Sequence, residues 1–331
     1  MKSKLDLQRF TIIDPRAALN RRLILKGFGS ALLTAPLLGC SSDDVANDNT
    51  VDAGTGGAGG TRGTTADAAT GAVAWATGGT VAMTAQATYP NPFANPSDGM
   101  AAATCALTCE ATQGPCYAAQ SEEIQDISYG YLGLPMRVYL RILDESCAPI
   151  AGASVDLWHV SAVGKYSGDD ATNENVAFCT GNDADFTAHL YFRGKQTTDA
   201  NGVVFFDTCY PGWYSGRTVH IHMIVRIGDQ SYLTTQLFFA DTLNDDILTS
   251  QTLYSSRGNR DTTNQNDMVV SASAVSDYEF QTQQMTDGAL LAWKTLVVRS
   301  SLANASCDIP AGAGGGAGGM SGGGPGAPSD S

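Results

Sequence analysis

Histidine is scarce in this chain, with four among 331 residues. Basic side chains are also few: 19 Lys and Arg stand against 33 Asp and Glu, a formal charge of −14. That balance excludes charge-driven binding to nucleic acid or to anionic lipid. It also disfavours anionic ligands. The apolar run from Gly27 to Leu38 is too short and wrongly flanked to form a spanning helix. Residues 41 to about 100 are poor in large apolar groups and rich in Gly, Ala, Thr and Asp. Such a stretch cannot offset its chain entropy by burial and reads as a flexible tether. The tail from Pro310 is Gly-rich and reads the same way.

The N-terminus carries an export signal. Asn20-Arg-Arg-Leu-Ile-Leu-Lys26 resembles a twin-arginine motif, and Leu37-Leu-Gly-Cys40 resembles a lipobox. The expected product is cleaved before Cys40 and lipid-anchored there, at the periplasmic face or the cell surface. Removing residues 1–39 takes away seven Lys/Arg and two Asp/Glu and leaves −19. The predicted organisation is a signal peptide at 1–39, a linker at 40–100, a folded domain at 101–309 and a tail at 310–331. Eight cysteines fit an oxidising compartment. With Cys40 lipidated, seven remain, so at least one is unpaired or intermolecular. Cys105, Cys109 and Cys116 lack the companions of a zinc module and read as disulfide partners to the domain body.

Between the flexible ends, the pattern is one of strands. Met136–Leu143 alternates apolar and polar residues as a half-buried strand does. Ser154–Trp158, Val203–Phe206, His220–Ile227 and Leu233–Phe239 are rich in β-branched and aromatic residues. Gly, Pro, Asn and Asp punctuate the gaps. A short helix is expected at Tyr278–Val297, and no long amphipathic helix. Short strands with regular turn signals indicate an all-β fold, a mostly antiparallel β-sandwich.

Two of the four histidines stand in Pro211-Gly-Trp-Tyr214-Ser-Gly-Arg217-Thr-Val-His220-Ile-His222. On a strand, residues i and i+2 share a face roughly 6–7 Å apart, so both imidazoles can reach one metal ion. His159 follows a core Trp158 and is expected to hydrogen-bond within the sheet, while His189 reads as structural or at a pocket rim.

Upstream stand Ala153-Ser-Val-Asp-Leu-Trp-His159, Gly164-Lys-Tyr166, Phe192-Arg-Gly-Lys-Gln-Thr-Thr-Asp199-Ala-Asn-Gly202 and Val203–Thr208. In this order and spacing the residues resemble the intradiol ring-cleavage dioxygenases, from about Thr108 to about Val270. The opening segment Leu107–Tyr117, with Gly114-Pro115, carries a weaker part of the match. The resemblance implies a non-haem Fe(III) centre with Tyr166, Tyr214, His220 and His222 as ligands. It further implies that Arg217 stabilises charge developing on the substrate, that Gln236 lies beside it, and that Tyr214 gives way when a catechol chelates the metal. The implied reaction opens a catechol-type aromatic between its hydroxyls with O2, giving a cis,cis-muconate-type diacid. Tyr117 is expected to approach the substrate, and Asn266 and Asp267 to cap a loop. The gap from Tyr214 to His220 is shorter than is common in the family, which reshapes the pocket wall. A different reading is a non-catalytic β-sandwich surface lipoprotein that binds a ligand or partner. A third is a zinc or copper protein using His220 and His222. The sequence leaves the oligomeric state open.

Overall fold

A computed structural model describes residues 73–84, 88–95, 105–119, 123–168 and 175–312. The predicted export signal, Cys40 and most of the predicted linker and tail lie outside these residues. Among the described residues, no helix is long and apolar enough to cross a membrane.

Among the described residues, eight strands form two four-stranded sheets. They are β1 (Pro135–Asp144), β2 (Ser154–Trp158), β3 (Arg193–Thr197), β4 (Val203–Cys209), β5 (His220–Ile227), β6 (Gln230–Phe238), β7 (Gln281–Gln284) and β8 (Leu290–Val298). One sheet has the order β4-β1-β8-β7 and the other β3-β2-β5-β6. All pairs are antiparallel except β1 with β8. Among the described residues, five short α-helices join them: α1 (Val176–Thr180), α2 (Ala184–Ala188), α3 (Asp241–Ser250), α4 (Thr252–Ser255) and α5 (Ala272–Val275). The sandwich expected from the sequence is the fold observed.

The core follows the period of two. Met136, Val138, Leu140 and Ile142 of β1 face inward with Val204 and Phe206 of β4 and Leu290, Ala292, Leu296 and Val298 of β8. From the second sheet come Val155, Leu157, Ile221, Met223, Val225, Leu233 and Leu237. The alternate residues of both sheets therefore point outward, yet many of them are buried as well. Outward-facing Arg137 is 2% exposed and Tyr139 5% exposed, so β1 is covered on both faces rather than half-buried.

The cover over β1 comes from the segment read as tether. Tyr89 and Phe93 pack on Tyr139, Val203 and Leu291, and the Tyr89 hydroxyl donates to Asp287 at 2.6 Å. Packed residues are thus found ahead of position 101, and at the other end Val270 bridges Ala311. A second difference concerns Tyr278–Val297, which forms a short 3-10 turn and the hairpin β7–β8 in place of a helix. The turn at Asp287-Gly288 needs Gly288 at φ +80°, a conformation that breaks a helix. Because β8 is buried on both faces, its apolar residues run together and mask the strand period.

Three disulfides join Cys105 to Cys147, Cys109 to Cys307 and Cys116 to Cys179. Cys209 is buried and unpaired. The three clustered cysteines are thus tied to the domain body, as their sequence context indicates.

Candidate metal centre

The candidate site lies on the outer face of the β3-β2-β5-β6 sheet. Since Ile221, Met223 and Val225 point to the core, His220 and His222 must point away from it. Their rings meet edge to face at 4.7 Å, and their Nε2 atoms are 3.0 Å apart. The Nδ1 of His220 lies 2.7 Å from the Thr218 carbonyl, which can only accept. Nδ1 therefore carries the proton, and the Nε2 lone pair faces the site. His222 stacks on Trp158, its register partner on β2, at 4.9 Å. The buried His222 Nδ1 has no hydrogen-bond partner among the described residues.

Two loops bring the tyrosines to the same point. Gly164, at φ +73°, turns the chain after β2 so closely against the Trp213 carbonyl that a side chain there would collide with it. This contact sets the Tyr166 loop beside the Tyr214 loop, and Tyr166 N–H then donates to the Cys179 carbonyl at 2.8 Å. Tyr214 opens a tight turn that Arg217 closes by bridging back to it. The short Tyr214–His220 spacing is this turn.

The result is a close tetrad of donor atoms. Tyr166 Oη lies 2.9 Å from His222 Nε2, 3.3 Å from His220 Nε2 and 3.3 Å from Tyr214 Oη. Tyr214 Oη is 3.3 Å from His220 Nε2. All four residues are buried. Burial is the main cause of every pKa shift here. It pushes the Tyr166 phenol well above its ordinary value, with Tyr214 adding to the rise. It raises Tyr214 against the opposing pull of Arg217. It holds both imidazoles well below theirs, Arg217 contributing at each. Two neutral imidazoles and two phenols with mutually facing lone pairs suit a cation that prefers nitrogen and oxygen donors. Edges near 3 Å match metal–ligand bonds of roughly 2 Å. No group of three or more His, Cys, Asp or Glu that could hold a metal occurs among the described residues. A metal held here must therefore draw on the tyrosines.

Arg217 borders the tetrad, with Nη1 3.5 Å from His220 Nε2. Its Nε donates to Asp267 at 3.0 Å, and its Nη2 donates to Gln236 Oε1. Gln236 is the register partner of His222 on β6, and its amide donates to the Thr112 carbonyl at 2.8 Å. The structure thus gathers all six residues singled out by the motifs.

It also supplies residues that the motifs leave out. Asp267 caps its loop, as expected, by accepting from Val269 N–H and Val270 N–H at 2.8 Å each. The same carboxylate, fully buried, anchors Arg217 and accepts from Thr218 N–H at 2.8 Å. Arg193 is buried with its guanidinium 5.8 Å from the Tyr166 ring centroid, and its Nε donates to the Ser167 carbonyl at 2.7 Å. The Phe192-Arg-Gly motif is the sequence signal for it. Gly114 lies against the His222 ring: a Cβ there would come within 3.3 Å of Cε1.

Three other residues lie outside the tetrad. Tyr117 sits behind Trp158 at 4.9 Å and donates to Asp156 at 2.6 Å, so it supports the ring on which His222 stacks. His159 is fully buried and bonds Val160 O and Thr208 Oγ1. Its second bond reaches across to β4 of the other sheet instead of staying within its own. His189 is half-exposed at the C-cap of α2 and lies 3.0 Å from Asp185.

A family model described as dioxygenase matches residues 112–290. An intradiol ring-cleavage dioxygenase from Tetranychus urticae is similar at 26% identity and TM-score 0.51, covering 59% of this chain and 95% of its own. The crystal structure of dioxygenase Tetur07g02040 is similar at 26% identity and TM-score 0.50, with the same coverage. No curated protein sequence matches. The chain belongs to the dioxygenase family that its Tyr-His motifs resemble, the intradiol ring-cleavage dioxygenases.

Proposed function

We propose that the chain holds non-haem Fe(III) through Tyr166, Tyr214, His220 and His222 and cleaves a catechol-type aromatic between its hydroxyls with O2, giving a cis,cis-muconate-type diacid. The observation that carries this reading is the convergence of two phenol oxygens and two imidazole Nε2 atoms within 2.9–3.3 Å. Phenolate is a hard anionic donor and stabilises ferric iron. When bound, the ferric ion supplies the Lewis acid that binds the catecholate and opens its ring to dioxygen.

The remaining steps fall to the protein's own groups. Tyr214 Oη, which would be a phenolate once it holds the ion, would take up a proton from a substrate hydroxyl as it gives way to the substrate. Arg217, held by Asp267 and Gln236, offers its positive edge to negative charge that develops on the substrate. That charge is fixed in place before substrate arrives, so little reorganisation accompanies the reaction. Trp158, Cys116 and Cys179 wall the tetrad with apolar surface and keep water from it. The acidic chain favours neutral catechols over carboxylated ones.

The purified, iron-loaded full chain tests this directly. Catechol and oxygen should be consumed one for one, with muconate absorbance rising. A yellow semialdehyde product, or no oxygen uptake across a panel of catechols, contradicts the reading.

We further propose that the chain is exported and anchored by lipid at Cys40. The twin-arginine-like and lipobox-like motifs support it, as do three disulfides. Cys40→Ser should shift the chain from the membrane to the soluble fraction. An unchanged distribution contradicts the anchor.

A further inference from the structure

The Cys116–Cys179 disulfide occupies a particular place in the fold. Both cysteines belong to the small apolar cluster that contains Tyr166, Tyr214 and Trp158. Cys116 is 4% exposed and Cys179 1% exposed. Neither stands on a strand. Cys116 follows Gly114-Pro115, the segment lying on the His222 ring. Cys179 is on the single-turn helix α1, and its carbonyl takes the Tyr166 N–H at 2.8 Å. His220 and His222 are fixed by ladder bonds within β5. Tyr166 has no such ladder: its own N–H is held by the Cys179 carbonyl, and its loop is joined to the sheet one residue later, where Arg193 of β3 donates to the Ser167 carbonyl at 2.7 Å. One covalent bond therefore ties the cover of one imidazole to the support of one phenol.

We propose that the Cys116–Cys179 disulfide is a positioning element of the site: closed, it holds Tyr166 and the Gly114–Pro115 cover in place over His222, and opened, it releases both. The inference rests on the metal-site reading given above. Opening the bond takes two electrons and two protons, supplied by a dithiol that closes to its own disulfide and leaves two thiols on the chain. The chain therefore becomes fully competent only in oxidising surroundings.

The test compares two disulfides in the iron-loaded full chain. C116S/C179S removes the proposed link. C105S/C147S removes a bond neither of whose cysteines belongs to the cluster around Tyr166 and Tyr214. Visible charge-transfer absorption, iron affinity, turnover and thermal midpoint are measured for each. The link variant should lose iron affinity by about 10–100-fold, the usual cost of removing a support behind a metal ligand, and its band should shift. The control should keep band, affinity and turnover while its midpoint falls. Equal behaviour of the two variants overturns the proposal. Should C116S/C179S fail to fold, C116A/C179V refills the apolar space without the link, and the same outcomes apply. If the wild-type chain binds no iron, the metal-site reading fails separately. Amide exchange at Tyr166 then decides the positioning role: faster exchange in the link variant alone supports it, and unchanged exchange overturns it.

Discussion

The two outer faces of the sandwich are built alike and satisfied differently. Each is buried beneath irregular chain, and each holds a buried arginine on an aspartate: Arg137 with Asp207, and Arg217 with Asp267. On the β4-β1-β8-β7 face, Arg137 and Tyr89 are paired and enclosed. Arg137 donates Nε and Nη2 to the two oxygens of Asp207 and lies 4.6 Å from the Tyr89 ring centroid. Tyr89 in turn finds Asp287. On the β3-β2-β5-β6 face, four donor atoms find mainly one another, and His222 Nδ1 finds no partner among the described residues. Buried polar groups are costly unless paired, so the first face stabilises the fold, while the second carries facing lone pairs that suit the proposed cation. The same materials give a strut on one side and a site on the other.

This contrast can be broken by exchanging the roles. Arg137→Ala leaves Asp207 with the Gln125 amide but no charge partner and removes the ring contacts, and loss of one partner of a buried pair costs about 3–5 kcal/mol. Denaturant unfolding should show that loss, while iron content per folded chain stays unchanged. Diminished iron in the folded variant would show that the two faces are not independent.

Much of this division was legible in the sequence, and the limits have physical causes. The strands β2 and β5 could be read because one face is core and the other is aromatic or polar. The six site residues could be read because their order and spacing form a pattern. Asp267 could be read only as a loop cap, since its bond to Arg217 spans fifty residues and exists only in the folded chain. The strap over β1 was hidden because a few large residues, Tyr89 and Phe93 among them, stand in a Gly/Ala/Thr background. β8 was hidden by being apolar on both faces, and α3 by its acidic sequence, of which only Asn244, Ile247 and Leu248 are buried.

A smaller effect probes the layer between the faces. His159 joins the end of β2 to Thr208 of β4, and burial holds its pKa down to about 4. The unfolded chain, with an ordinary histidine near 6.5, binds the proton first as pH falls. Stability contributed by the neutral ring is therefore complete above about pH 6.5 and lost as pH drops toward about 4. A shift of this size corresponds to about 3 kcal/mol. His159→Gln should flatten the stability–pH curve in that window, as read by denaturant midpoints. An equally steep curve in the variant would assign the pH dependence to other groups.

The central claim is that the second face exists to hold a metal through two tyrosines and two histidines. Ferric titration of the full chain, followed by visible absorption, tests it most directly in the wild type, Tyr166→Phe and Tyr214→Phe. The account predicts one iron per wild-type chain and a burgundy tyrosinate-to-iron band that shifts in each variant. A colourless wild-type chain without stoichiometric iron, or a band unchanged by both substitutions, would contradict it.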